Sequence, residues 1–203
     1  MDWSEWAEAI FGTPYEIWHD GLADERFDDL DESQRATAIA LIPEGLAAGD
    51  HVAAVAARRL GAVEVLPNLM EALPGSSGIL LREVARAVTT LGGDADAALD
   101  RVLDGLANEL IWLHRKDLVN GLRHFEGPRV VGALLAAVEH DPDYLVRYHA
   151  AESLLALAGI DSPQLVDYRK LFSDVAADAP ERHGTAARRL QDMVERRSSA
   201  EGQ

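Results

Sequence analysis

The chain has 203 residues, 48% of them hydrophobic, no cysteine and a formal net charge of −16. That length and apolar content suffice for one core of ordinary domain size. The missing cysteines exclude a disulfide framework, thiolate metal sites and cysteine nucleophiles, while 35 acids against 19 bases oppose the phosphate backbone of nucleic acid.

Residues 1–32 hold eleven acids and one base, Arg26, together with six of the twelve aromatic residues: Trp3, Trp6, Phe11, Tyr15, Trp18 and Phe27. The pattern predicts a short helix over Asp2–Phe11, a break at Gly12-Thr13-Pro14, a second helix over Pro14–His19 and an acidic connection. Such an aromatic concentration needs a surface to cover. It is read either as a cap on the apolar edge of the helices beyond residue 32, or as an interface in which Trp3, Trp6 and Trp18 are anchors beside Asp24, Glu25, Asp28 and Asp29. The start MDWSEWAEAIFG has neither a basic n-region nor an apolar h-region, and the chain has no run of about 18 apolar residues, so a cytosolic protein is expected.

From Ser33, expected as the cap of a helix over Gln34–Ala47, the chain reads as helices throughout. Ala, Leu, Arg, Glu and Asp dominate, and no segment sustains two-residue alternation, so the fold class is all-α. Pro43 and Pro67 are expected to bend or restart their helices. Pro74-Gly75-Ser76-Ser77-Gly78 reads as a flexible loop open to proteolysis. Asp161-Ser162-Pro163 would cap a helix over Gln164–Ala177. Pro180 would open a last one, Glu181–Arg197, with Arg188, Arg189, Arg196 and Arg197 balancing its C-terminal dipole. Residues 198–203 read as frayed.

One degenerate pattern recurs four times in the middle of the chain, as helix, Gly, turn and second helix: Asp50–Leu73, Gly78–Leu106, Glu109–Val138 and Asp141–Phe172. Its junction glycines Gly61, Gly92, Gly127 and Gly159 are spaced by 31, 35 and 32 residues. The last two copies align without a gap over fifteen positions, pairing Leu113 with Leu145, Arg115 with Arg147, Leu118 with Ala150, Val119 with Ala151, Leu122 with Leu154, Phe125 with Leu157 and Gly127 with Gly159. A period of this size means a stacked helical array whose surface exists to be bound. Val146–Gly159, Arg82–Gly93 and the proline-containing Val63–Leu73 resemble HEAT repeats, including the HEAT-like repeats of phycobilin lyases, over roughly residues 33–172. The resemblance implies a right-handed α-solenoid of about four helix pairs. Its divisions are an acidic aromatic cap (1–32), the array (33–177), and a C-terminal helix with its tail (178–203).

In HEAT arrays the first helices line the concave face, so the resemblance implies a ladder of bases there: Arg58, Arg59, Arg82, Arg86, Arg115, Lys116, Arg123 and Arg147. HEAT-like repeats often keep an Arg near the start of this helix to bond the adjacent repeat. Arg115 and Arg147 hold equivalent positions for that role, with Arg82 corresponding across a gap. Arg58, Arg86, Lys116 and Arg123 are freer for a partner. The same helices carry Trp112, His114, Asp117, His124, Tyr148, His149 and Glu152. His149 and Glu152 lie three apart on one helical face, and Asp117 aligns with His149 one copy earlier, so a polar cluster is expected there.

The catalytic signatures are missing. There is no phosphate loop, nucleophile elbow or His-Glu-x-x-His, and none of the His-Glu dipeptides that hold iron in HEAT-like enzymes of the deoxyhypusine hydroxylase type. Trp112, Asp117 and Arg115 loosely resemble the set used by HEAT-like alkylpurine DNA glycosylases, an alternative the charge disfavours. The sequence therefore reads as a non-catalytic, cofactor-free and metal-free protein-binding module. Its small size and acidity resemble bacterial immunity proteins that neutralise a basic, toxin-like protein partner, and a scaffold or adaptor is the alternative. Candidate binding residues are Trp3, Trp6, Trp18, Asp24, Glu25, Asp28, Asp29, Arg86, Trp112, Lys116, Arg123, Tyr148, His149 and Glu152.

Overall fold

Capping chemistry sets the first elements. Asp2 accepts from the Glu5 N–H while the Glu5 carboxylate accepts from the Asp2 N–H, starting α1 (Trp3–Phe11), and Thr13 and Glu16 repeat the exchange at α2 (Pro14–Asp20). Asp31, not the expected Ser33, caps α3 (Glu32–Ala47), in a reciprocal pair with Gln34. Asp31 wins because its carboxylate reaches the N–H three residues on, which puts Ser33 inside the first turn.

The computed structural model describes residues 1–160 and 168–201, with every side chain among them except those of Trp18, Ser198, Ala200 and Glu201. All regular elements among these residues are helical. They continue as α4 (His51–Leu60), α5 (Leu66–Ala72), α6 (Gly78–Thr90), α7 (Ala95–Asn108), α8 (Trp112–Leu122), α9 (Pro128–His140), α10 (Tyr144–Leu157), α11 (Arg169–Val175) and α12 (Pro180–Glu201), with short 3-10 turns at Asp24–Phe27, Val63–Val65 and Leu73–Gly75. The four junction glycines all have positive φ, 65°, 80°, 103° and 72° for Gly61, Gly92, Gly127 and Gly159. L side chains disfavour that region, which is why glycine recurs at these junctions. The expected cap Asp161-Ser162-Pro163 and the start of the Gln164 helix lie outside the described residues.

Pro67 opens α5 after a 3-10 turn, the expected restart, whereas Pro43 sits within one continuous helix, α3, which does not restart there. Two further expectations change. The Pro74–Gly78 loop is pinned: Ser76 is buried and its Oγ donates to the Ala72 carbonyl at 2.8 Å, while Arg101 donates to the carbonyls of Pro74 at 3.2 Å and Ser76 at 2.7 Å. α12 continues through Glu201, so Arg196 and Arg197 lie inside it and no base occupies its last turn.

The chain divides into two compact units, Met1–Val102 and Leu103–Gln203. In the first, α3 packs on α1, α4 and α5, and α6 packs on α4 and α5, around Ile42, Leu69, Leu81, Val84 and Val88, all fully buried. The N-terminal aromatics complete this core. Trp3 and Trp6 are buried, and ring centroids step from Trp3 to Trp6 at 5.3 Å, to Phe11 at 6.0 Å and to Phe27 at 4.6 Å. The Trp3 indole lies against Gly45, where a Cβ would sit 2.6 Å from the ring, and its Nε1 donates to Asp50 at 2.7 Å. Only glycine admits the ring here. In the second unit α10 packs on α8, α9, α11 and α12, and α12 packs also on α9 and α11. Its core holds Leu118, Leu122, Leu134, Leu154, Leu155 and Leu190, each worth about 1.5–3 kcal/mol when fully buried.

Two substitutions probe these cores. Gly45→Ala is expected to cost about 1–3 kcal/mol by overpacking against Trp3, read as a lower midpoint in urea unfolding followed by tryptophan fluorescence. Leu154→Asp puts an unpaired carboxylate among α8, α9 and α10 and is expected to abolish soluble folded protein. A soluble variant with an unchanged thermal midpoint would contradict this packing.

Candidate functional site

Arg115 stands one turn into α8 and uses every face of its guanidinium. Nη1 donates to the carbonyls of Glu109 at 3.2 Å and Leu110 at 3.0 Å, while Nε and Nη2 donate to the two Asp141 carboxylate oxygens at 2.8 and 3.0 Å. The Asp141 hydrogen bonds hold Arg115 above its already high value. Arg147, the aligned residue on α10, repeats the geometry. Its Nη1 donates to the carbonyls of Asp141 at 2.8 Å and Pro142 at 3.0 Å, and its Nε to the Val175 carbonyl at 2.9 Å. Both arginines thus clamp the turn before their own helix onto a later stretch of chain. Arg101, on α7, performs a related clamp in the first unit, which the repeat pattern did not anticipate.

The clamp at Arg115 presents an unusual surface. Leu110, Ile111, Trp112 and Leu113 are consecutive and all exposed, at 91%, 51%, 40% and 42% of their full areas, and Tyr144, which opens α10 as Trp112 opens α8, is 53% exposed. The Arg115–Asp141 pair ties the start of α8 to the turn before α10, so the two aromatics belong to the same end of the packed α8/α10 pair. The ledge is braced from below. Glu109 Oε1 accepts the Ile111 N–H at 2.9 Å and Oε2 meets His114 Nδ1 at 2.8 Å. These contacts, the Ile111 N–H first, pull the Glu109 carboxyl below its usual value.

Of the predicted site residues only Trp112 lies on this ledge. Leu110, Ile111, Leu113 and Tyr144 were missed, although the signal was present: four apolar residues in a row cannot all face inward from one helix start. Trp3 and Trp6 are core residues, and the Trp18 side chain lies outside those described. Asp28 binds Arg59 at 2.7 Å, Asp24 lies 4.0 Å from it, and Glu25 and Asp29 are exposed. Two of these four acidic candidates thus also meet Arg59 of α4, Asp28 while 69% exposed and Asp24 while 44% exposed. Lys116 pairs with the buried Asp117 at 2.9 Å, and Arg123 bonds to the Asn120 carbonyl at 2.9 Å and to its side chain. Arg58 faces the buried Glu83 across 3.9 Å, and Arg86 is half-buried on α6.

The expected polar cluster forms in part. His149 Nδ1 lies 2.7 Å from Glu152, and Tyr148 stands edge-on to His149 at 5.5 Å and packs on Phe172 at 4.5 Å. Burial, followed by the Glu152 charge and hydrogen bond, raises the Tyr148 phenol. Asp117 joins Lys116. Among the described residues no group of three or more His, Asp or Glu side chains is placed to hold a metal ion, and no helix is long and apolar enough to cross a membrane. Comparison with known proteins returned no matching family model, no matching curated protein and no matching solved structure.

The brace has a defined pH dependence. A carboxyl whose folded value is depressed contributes stability that is present above its unfolded value and is lost as pH falls through the folded one. The Ile111 amide resonance is therefore expected to stay constant down through the ordinary glutamate value of about 4.3 and to move only below it. A midpoint at or above that value would show that Glu109 does not hold the ledge.

Proposed function

We propose that this chain is a protein-binding module, built as a right-handed α-solenoid of HEAT-like helix pairs, that neutralises a basic, toxin-like protein partner in the manner of bacterial immunity proteins. The observation that carries the reading is the braced ledge at Leu110–Leu113 with Tyr144. Exposed contiguous apolar surface is costly to solubility and marks interaction sites, and tryptophan and tyrosine dominate interface energetics. Bracing by Arg115, Glu109 and His114 fixes the ledge before it meets a partner, which lowers the ordering cost of association.

The solenoid component draws support from the helix-turn-helix spacing, from the positive φ at all four junction glycines, and from the repeated clamp of Arg115 and Arg147. The non-catalytic component draws support from the fate of the polar residues. Arg115 is spent on Asp141 and Asp117 is bonded to Lys116, so two of the three residues that resemble a DNA glycosylase set are engaged within the chain. A basic partner is favoured by the net charge of −16, which steers opposite charge and repels phosphate polymers.

The test uses the protein encoded next to this chain as the candidate partner. Binding measured by calorimetry is expected to weaken at least about 30-fold in the Leu110→Ser/Trp112→Ala variant, as loss of a hot spot of about 2 kcal/mol or more requires, with no change in thermal midpoint. The association rate should fall as salt rises through about 0.15 M. Growth protection against the neighbour should disappear in the same variant. Binding that survives the double substitution would remove the ledge from the interface.

A further inference from the structure

The ledge at the starts of α8 and α10 offers polar groups as well as apolar ones. Trp112 and Tyr144 hold equivalent positions, each one residue before the aligned pair Leu113 and Leu145, on two helices that pack together. Axes of packed helices run about 8–10 Å apart, and the Arg115–Asp141 pair holds these two helix starts together, so one long side chain can reach both exposed rings. Trp3 Nε1 donates to Asp50, whereas neither the Trp112 indole N–H nor the Tyr144 hydroxyl bonds to another described residue. Asp143 precedes Tyr144 and caps α10, its Oδ1 accepting the Leu145 N–H at 2.8 Å. Its Oδ2 takes no hydrogen bond among the described residues and is open to solvent. The other two carboxylates of the ledge are engaged on both oxygens, Glu109 with Ile111 and His114, and Asp141 with Arg115. Residues 103–114 and 139–146 contain five acids and no Lys or Arg, and Arg115 and Arg147 spend their donors on carbonyls and on Asp141.

We infer that Trp112, Tyr144 and Asp143 form the receptor for one arginine side chain of the partner protein. The guanidinium lies on the aromatic rings and donates to Asp143 Oδ2, while Leu110, Ile111 and Leu113 take the apolar residues beside it. A wholly apolar segment does not suit this surface, because covering the ledge would strip water from Oδ2 and leave a carboxylate unpaired. A partner carboxylate would meet Asp143 as a like charge. An arginine answers both difficulties: a guanidinium is cationic, planar and weakly hydrated, stacks on aromatic faces, and matches a carboxylate with its fork. The positive end of the α10 dipole, which opposes a cation, is met by Asp143 Oδ1 at the cap. That the arginine belongs to a protein rests on the protein-binding reading above, to which it adds the residue the partner must present.

The test follows the Trp112 indole N–H resonance of the full chain during titration with three capped tripeptides: acetyl-Leu-Arg-Leu-amide, its citrulline counterpart and acetyl-Leu-Glu-Leu-amide. Citrulline keeps the shape of arginine and removes the charge. The arginine peptide is expected to give a saturable shift, and the citrulline peptide to bind at least about 10-fold more weakly, as loss of a cation–π contact together with an ion pair requires. The glutamate peptide should have no effect. Asp143→Asn keeps the α10 cap, because Asn caps as well as Asp, so it should melt with the parent while binding the arginine peptide about 3-fold more weakly. Tyr144→Leu, which removes a ring from an exposed position, should weaken the same peptide to a similar degree. Equal affinity for the arginine and citrulline peptides, saturation by the glutamate peptide, or no response to any of them would overturn the proposal. So would movement of the Trp112 resonance on dilution of the chain alone, which would mean that a second copy covers the ledge. An arginine peptide that binds as expected, to a chain that ignores the protein encoded beside it, would remove the partner reading and leave the receptor. A neighbouring protein bound equally by the parent and by Asp143→Asn/Tyr144→Leu would keep the partner reading and remove the receptor.

Discussion

The guanidinium of Arg115 is the contact on which the candidate surface depends. Four donated hydrogen bonds, two to carbonyls before α8 and two to a carboxylate before α10, convert a connection into a fixed edge. The pair with Asp141 is largely buried, at 12% and 8% side-chain exposure. Losing one partner of a buried pair costs about 3–5 kcal/mol because the other charge is left unanswered. The same arginine that holds the helices in register holds Leu110 to Leu113 outward. Stability and presentation share one side chain.

The apolar residues divide into two kinds. At the N-terminus Trp3, Trp6, Phe11 and Phe27 form a continuous aromatic train that is spent on folding, with the Trp3 indole seated over Gly45 and bonded to Asp50. At the start of α8, an equally apolar run remains in solvent. Aromatic content does not separate these cases. The difference is the presence of a partner surface within the same chain: α3 offers Trp3 a face that includes Gly45, whereas the buried residues of α8 begin only at Asp117 and Leu118, one turn beyond Leu113.

Charge is divided in a similar way. Several acids serve as local counter-charges or acceptors, as Asp28 does for Arg59, Asp141 for Arg115 and Glu109 for the Ile111 N–H. Many of the arginines that read as a ladder are likewise internal struts.

The sequence by itself determined that the chain is helical, where the first helices and the last one lie, and where glycine must turn the chain, because capping pairs, apolar periodicity and positive φ are properties of a few neighbouring residues. Arg115 and Arg147, aligned in the sequence, each bond two carbonyls in the turn before their own helix. Only the tertiary structure decided that Trp3 is core and Trp112 is surface, that Asp24 and Asp28 face Arg59, and that Ser76 is pinned by Arg101. These outcomes depend on which side chain from 25 to 50 positions away arrives at the same place. One-dimensional periodicity shows which face of a helix is apolar, but it carries no record of whether another element comes to cover that face.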